Sequence, residues 1–195
     1  MEAAAHKAPC SVGCSLVTDD TSGFSGLMSG FAGALDTAEE NVSDGTMYLD
    51  SSDLELMSDH VEEQVVALRF GPVNIPKGAT LFSASVELVI DEVKTEADDP
   101  ITIAIYAEAT DNAPAITEAP FDLSSRAPTE ASRIWQPPST SAAAEGDWSL
   151  CWEVNHCGTS IWNSVGSTVQ TPNIAGILQE VVDRPGWVEG NSLMV

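Results

Sequence analysis

Between Thr46 and Ala109 apolar and polar side chains alternate with a period of two, the repeat of a strand that buries one face and leaves the other in water. In LFSASVELVIDE, Phe82, Ala84, Val86, Leu88 and Ile90 fall on one side, and Ser83, Ser85, Glu87 and Asp91 on the other. ITIAIYAEA repeats the pattern, with Ile101, Ile103, Ile105 and Ala107 inward and Thr102, Tyr106 and Glu108 outward. The polar KTEADDP between them predicts a hairpin connection, and IPKGAT predicts a proline–glycine turn after a further strand, VVALRF. GTMYLD and SSDLEL predict another strand or hairpin upstream. Antiparallel strands at this spacing predict a mainly β fold, an antiparallel jelly-roll-like β-sandwich.

One segment departs from the two-residue period. In TPNIAGILQEVVDRPGW, Ile174, Ile177, Leu178, Val181 and Val182 repeat at three and four, Thr171 is placed to cap, Pro172 suits a first helical turn, and Pro185-Gly186 stops the run. This predicts one short amphipathic helix near the C-terminus, packed on the sheets. NSLMV after it reads as the start of a final strand, one that a continuation of the chain or a partner would complete. Residues 1–32, rich in Ala, Ser and Gly without a sustained period, read as a flexible tail. The β-sandwich module is then 33–195, with a Cys- and Trp-bearing insertion at about 142–169.

Charge narrows the partners. Against 30 acidic residues the 195-residue chain has 7 Lys and Arg, a net charge of −23, which disfavours nucleic acid and anionic membrane surfaces because both need cationic patches. No apolar run reaches the roughly 18 residues of a membrane-spanning helix, and the opening MEAAAHKAPC lacks the apolar core of a signal peptide. Cations, neutral polymers and protein partners remain.

The four cysteines fall in two close pairs, Cys10/Cys14 and Cys151/Cys157. Three disulfide connectivities are open. Zinc fits the first spacing better than the second, a local disulfide between Cys151 and Cys157 would indicate an oxidising compartment, and unpaired thiols a reducing one. Asn41-Val42-Ser43 is a glycosylation sequon, which has effect only on a secretory route.

The ordered succession DTAEE, SSDLEL, VVALRFGPVNIPKGATLFSASVELVIDE, ITIAIYAEATDNA, SSR, IWQPP and TPNIAGILQEVVDRPGWVEGNSLMV resembles a module of secreted and cell-surface multidomain proteins. It is similar in style to the disaggregatase-related (DNRLRE-type) β-sandwich modules, over about residues 34–195, with IPKGAT and QEVVDRPGW the most distinctive pieces. The resemblance implies a jelly-roll, carbohydrate-binding-module-like domain on the outside of the cell that binds or scaffolds and does not catalyse. Two departures stand out: the stretch 142–169 exceeds the usual connector, and the terminal strands of such modules beyond NSLMV are missing.

Two constellations carry candidate chemistry. Asp36, Glu39 and Glu40 precede the first strand of the module, and Asp53 and Glu55 share one strand face by alternation, so hard oxygen ligands gather as calcium requires. Modules of the resembling kind often hold such a structural ion near their first strand; a solvated acidic face is the plainer reading of the same residues. Trp148, Trp152 and Trp162 lie in or beside the cysteine-bracketed insertion, with Asp147, Glu153 and Asn155 as neighbours. Flat aromatic faces bind sugar rings while amides and carboxylates take the hydroxyls, and tryptophan equally marks protein contacts. Trp135 and Trp187, beside proline turns, are expected to pack under the loops.

No nucleophile elbow, phosphate loop, zinc-protease helix or dinucleotide fingerprint is present, and His6, His60 and His156 are isolated, so no enzyme is expected. The function the sequence favours is a non-catalytic extracellular module recognising polysaccharide or surface glycan, with calcium as a stabilising ion. The alternative is a structural protein-interaction subunit joined to neighbouring subunits of a larger extracellular or surface assembly.

Overall fold

The computed structural model describes residues 37–51, 54–56, 62–90, 102–136 and 165–195, together with the backbone of strands at 13–17, 26–29 and 58–59. In chain order the strands are β1 (Gly13–Val17), β2 (Gly26–Ser29), β3 (Thr37–Asn41), β4 (Met47–Tyr48), β5 (Ser58–Asp59), β6 (Glu62–Phe70), β7 (Ser83–Val89), β8 (Ile103–Ile105), β9 (Arg133–Trp135), β10 (Thr168–Gln170) and β11 (Leu193–Met194). Among the described residues one helix, α1 (Ala175–Val182), precedes β11. One sheet runs β10-β7-β1-β2 and a second β11-β6-β3-β4, with β5 also on β6 and β8 and β9 forming a separate ribbon. Every pairing is antiparallel.

The alternation read from the sequence sets which faces are buried. Ala84, Val86 and Ile90 of the β7 stretch lie inside, whereas Phe82, one residue before the strand, is 53% exposed. Leu68 and Phe70 of β6 meet Ala84 and Val86 of β7, Ile105 of β8, Leu193 of β11 and the apolar side of α1 in one cluster, so the two sheets share a core. The opposite face of the second sheet is also covered. Ala38, Ala67 and Met194 pack there against Ala113, Ile116 and Leu123 of the long connection from β8 to β9.

Neighbours, unlike faces, depart from the sequence reading. The expected hairpin between the LFSASVELVIDE and ITIAIYAEA strands is not formed, because β10 and β1 flank β7 and β8 pairs with β9. Period two specifies burial but carries no information on which strand satisfies an edge. The segment read as a flexible tail contributes β1 and β2, with Gly13 to Val17 running against Glu87 to Ser83. That edge of β7 would otherwise leave its backbone donors and acceptors unpaired. In SSDLEL, residues 54–56 form no strand, and Leu54 and Leu56 pack partly buried against the main core.

The helix forms where its three-and-four repeat predicts it, burying Ile177, Leu178, Val181 and Val182. Its start differs. The Thr171 hydroxyl accepts the Val86 N–H of β7 at 3.0 Å, and the Asn173 side chain accepts both the Ala84 N–H at 3.1 Å and the Ala175 N–H at 2.9 Å. Thr171, expected as the cap, therefore docks the approach to the helix on β7. Trp187 is fully buried and donates Nε1–H to the Ile75 carbonyl at 3.0 Å, and Trp135 is buried too, as expected for both. Nor is β11 an open edge at Met194: β6 lies on one side, and the Glu108 N–H donates to the Met194 carbonyl on the other at 3.0 Å.

Candidate functional site

The β3–β4 hairpin is built from turn chemistry. Asn41 Oδ1 accepts the Ser43 N–H at 2.8 Å, Asp44 Oδ1 accepts the Thr46 N–H at 2.9 Å, and Gly45, at φ 76°, donates to the Asn41 carbonyl at 2.8 Å. The Thr46 N–H favours the charged form of Asp44 and holds its carboxyl below the ordinary aspartate range.

Beyond the turn, alternation sends Met47 and Leu49 toward the second core cluster and leaves Thr46, Tyr48 and Asp50 on the exposed side. The connection from β8 to β9 returns beside this hairpin. The Phe121 N–H donates to the Gly45 carbonyl at 3.1 Å, and a Cβ on Gly45 would lie 2.5 Å from the Phe121 ring. Phe121 itself has φ 61°, a left-handed conformation costing about 1–2 kcal/mol for a residue with a side chain.

What holds Phe121 there is a carboxylate on β3. Glu40 is fully buried, and its Oε2 accepts the N–H groups of Leu123 at 2.7 Å and Ser124 at 3.0 Å. Its Oε1 is buried without a hydrogen-bond partner. Removing a carboxylate from water is costly, and the two amides offset part of that cost. Arg126 closes the other end of the loop. Its Nη1 donates to Glu108 at 3.1 Å, its Nη2 to Asp122 at 2.8 Å, and its remaining donors to the carbonyls of Pro114, Ala115 and Asp122. Burial works against that charge, but Asp122 and Glu108 outweigh it and hold the guanidinium above its ordinary pKa.

Between the β4 edge and this loop lies an open concavity of about 630 Å³, within the size range of small-ligand sites. Thr46, Tyr48, Asp50 and Ser51 line it from the hairpin side, and Glu118 and Pro120 from the loop. Tyr48 is 42% exposed, so its ring is available to a ligand. An aromatic face flanked by carboxylates and hydroxyls suits a polyhydroxylated ring, which stacks on the one and hydrogen-bonds to the others.

The residues singled out from the sequence are distributed differently. Trp148, Trp152, Trp162, Asp147, Glu153 and Asn155 lie outside the described residues, as do Cys151, Cys157, Asp36 and Asp53. Glu39 and Glu40, adjacent in β3, point to opposite faces of the sheet, so the expected carboxylate set does not converge as one cage. Glu40 serves the loop. Glu39 instead accepts the Glu55 N–H through Oε1 at 2.5 Å, and Gln64, on the Glu39 face by register, buries an unpartnered Oε1. Asn41 is 2% exposed with its Nδ2 donated to Glu62, so glycan addition to it has to precede folding of this hairpin.

Comparison with known protein families, curated proteins and solved structures finds no match. Among the described residues, no helix is long and apolar enough to cross a membrane, and no three His, Cys, Asp or Glu side chains gather to hold a metal ion.

Proposed function

We propose that the protein is a non-catalytic, extracellular or cell-surface module that binds polysaccharide or surface glycan, and that its two sheets form a jelly-roll-like β-sandwich. The observation that carries this reading is the concavity beside β4, where exposed Tyr48 stands among Asp50, Glu118 and the hydroxyls of Thr46 and Ser51. The tryptophans at 148, 152 and 162 extend the same aromatic chemistry in the sequence. Calcium belongs to the proposal as a stabilising ion on the Glu39 side of β3, where the Glu39 carboxylate lies against the backbone of Glu55.

Pull-down on insoluble polysaccharides, with wild type beside Tyr48→Ala and Trp152→Ala, tests the proposal. Retention by wild type and its loss in Tyr48→Ala support it; retention that survives both substitutions, or no retention on any glycan, overturns it. For calcium, a melting temperature unchanged by chelator removes the ion from the account.

The alternative, a structural subunit contacting neighbouring proteins, is favoured by the outer face of β8 and β9, where Ile134 is 59% and Tyr106 39% exposed. It predicts a stable protein complex by size exclusion and no glycan retention.

A further inference from the structure

The charge of the concavity points to a narrower class of ligand. Of the residues that line it, Asp50 and Glu118 are anionic and none is cationic. Neither acid is paired with a cation among the described residues. Four described basic side chains are engaged elsewhere, Arg126 with Glu108 and Asp122, Arg69 with Ser192 and the Ala113 carbonyl, Arg184 with Asp111, and Lys77 with the Pro185 carbonyl, and Arg133, exposed on β9, is not among the residues that line the groove. Two carboxylates therefore line one open groove that has no cationic side chain among its lining residues, and the exposed Tyr48, which lines the same groove, offers a ring face that attracts cations.

We infer that the β4 groove selects glycans bearing free amino groups, with Asp50 and Glu118 receiving the ammonium groups and Tyr48 stacking on the sugar ring. This rests on the glycan-binding reading above. Carboxylated and sulfated glycans meet like charge at the groove and in a chain of net charge −23, whereas neutral glycans gain the stacking but not the ion pairs. The polar neighbours fit this chemistry, since an ammonium donates three hydrogen bonds and Asp50, Glu118, Ser51 and Thr46 all offer acceptors.

The test is titration calorimetry with three oligosaccharides of equal length: fully deacetylated glucosamine, its N-acetylated counterpart, and an oligouronate. Two exposed charge contacts together with the ring contact correspond to a preference of about tenfold for the deacetylated oligomer, with the oligouronate weakest. The double variant Asp50→Asn/Glu118→Gln should lose that preference with its melting temperature unchanged, whereas Glu189→Gln, an exposed acid on the α1–β11 connection, should retain it. Equal binding of the two glucosamine oligomers, abolished by Tyr48→Ala, overturns the amino-group selection and leaves glycan binding standing. A preference that survives the double variant overturns it as well, since the attraction then comes from the overall charge. No binding of any of the three by wild type overturns the selection, and failure across a wider glycan panel overturns the reading beneath it.

Discussion

The side chain of Glu40 on β3 accepts the backbone N–H of Leu123, 83 residues further along the chain, at 2.7 Å. A single buried acid thus fixes the loop that forms one wall of the groove. Replacing it by alanine takes the acceptor from the buried Leu123 amide and the part-buried Ser124 amide and opens a cavity, so Glu40→Ala should cost about 3 kcal/mol in urea denaturation, and Glu40→Gln, which keeps one acceptor, should cost less. Hydrogen exchange at Leu123 and Ser124 should accelerate in the alanine variant. A cost below about 1 kcal/mol would show that the amides find other partners.

Arg126 forms two ion pairs and Arg184 one, and burial sets their contributions apart. The Arg126 side chain is 9% exposed against partners at 10% and 18%, while Arg184 and Asp111 are 36% and 45% exposed. Arg126→Met should destabilise by about 2–3 kcal/mol, because buried acceptors lose a charged donor. Arg184→Met should cost under about 1 kcal/mol, since solvent screens that pair. Thermal unfolding of the two variants side by side decides the comparison.

Asp44 gives the hairpin a pH dependence of known sign. Its folded pKa lies below the ordinary value of 3.8 because the Thr46 N–H favours the anion. The stabilisation is therefore complete above the ordinary aspartate range and is lost as pH falls through the folded pKa. The Thr46 amide resonance should titrate with a midpoint below 3.8, and Asp44→Asn should abolish the transition.

Gly45 serves two needs at once, a positive φ and room for the Phe121 ring. Gly45→Ala should destabilise by about 2 kcal/mol and displace Phe121, weakening glycan binding along with stability. Gly78, which also has a positive φ but nothing within 4 Å of a Cβ, isolates the backbone cost: Gly78→Ala should lose about 1 kcal/mol without affecting binding.

Much of this fold is legible in the sequence because burial follows period. The inward positions Ala84, Val86 and Ile90 and the apolar stripe of α1 are read from spacing, and the packing of Trp135 and Trp187 from the proline turns beside them. Strand neighbours are not, since hydrogen-bond partners leave no mark on side-chain alternation, and β7 took β1 from a glycine-rich stretch with no pattern of its own. The groove was hidden for the same reason. GTMYLD is recognisable as a strand, but that it lies at a sheet edge, and that Glu118 and Pro120 come to stand beside it, depends on long-range contacts. The splitting of Glu39 from Glu40 was within reach, because adjacent residues in a strand point opposite ways.

The most direct test of the central claim is a map of amide chemical shifts as a retained glycan is added to the protein. If the β4 groove is the site, the shifts concentrate at residues 45–51 and 118–121 and disappear in Tyr48→Ala. Saturable binding whose shifts fall elsewhere, with these two segments unmoved, would contradict it.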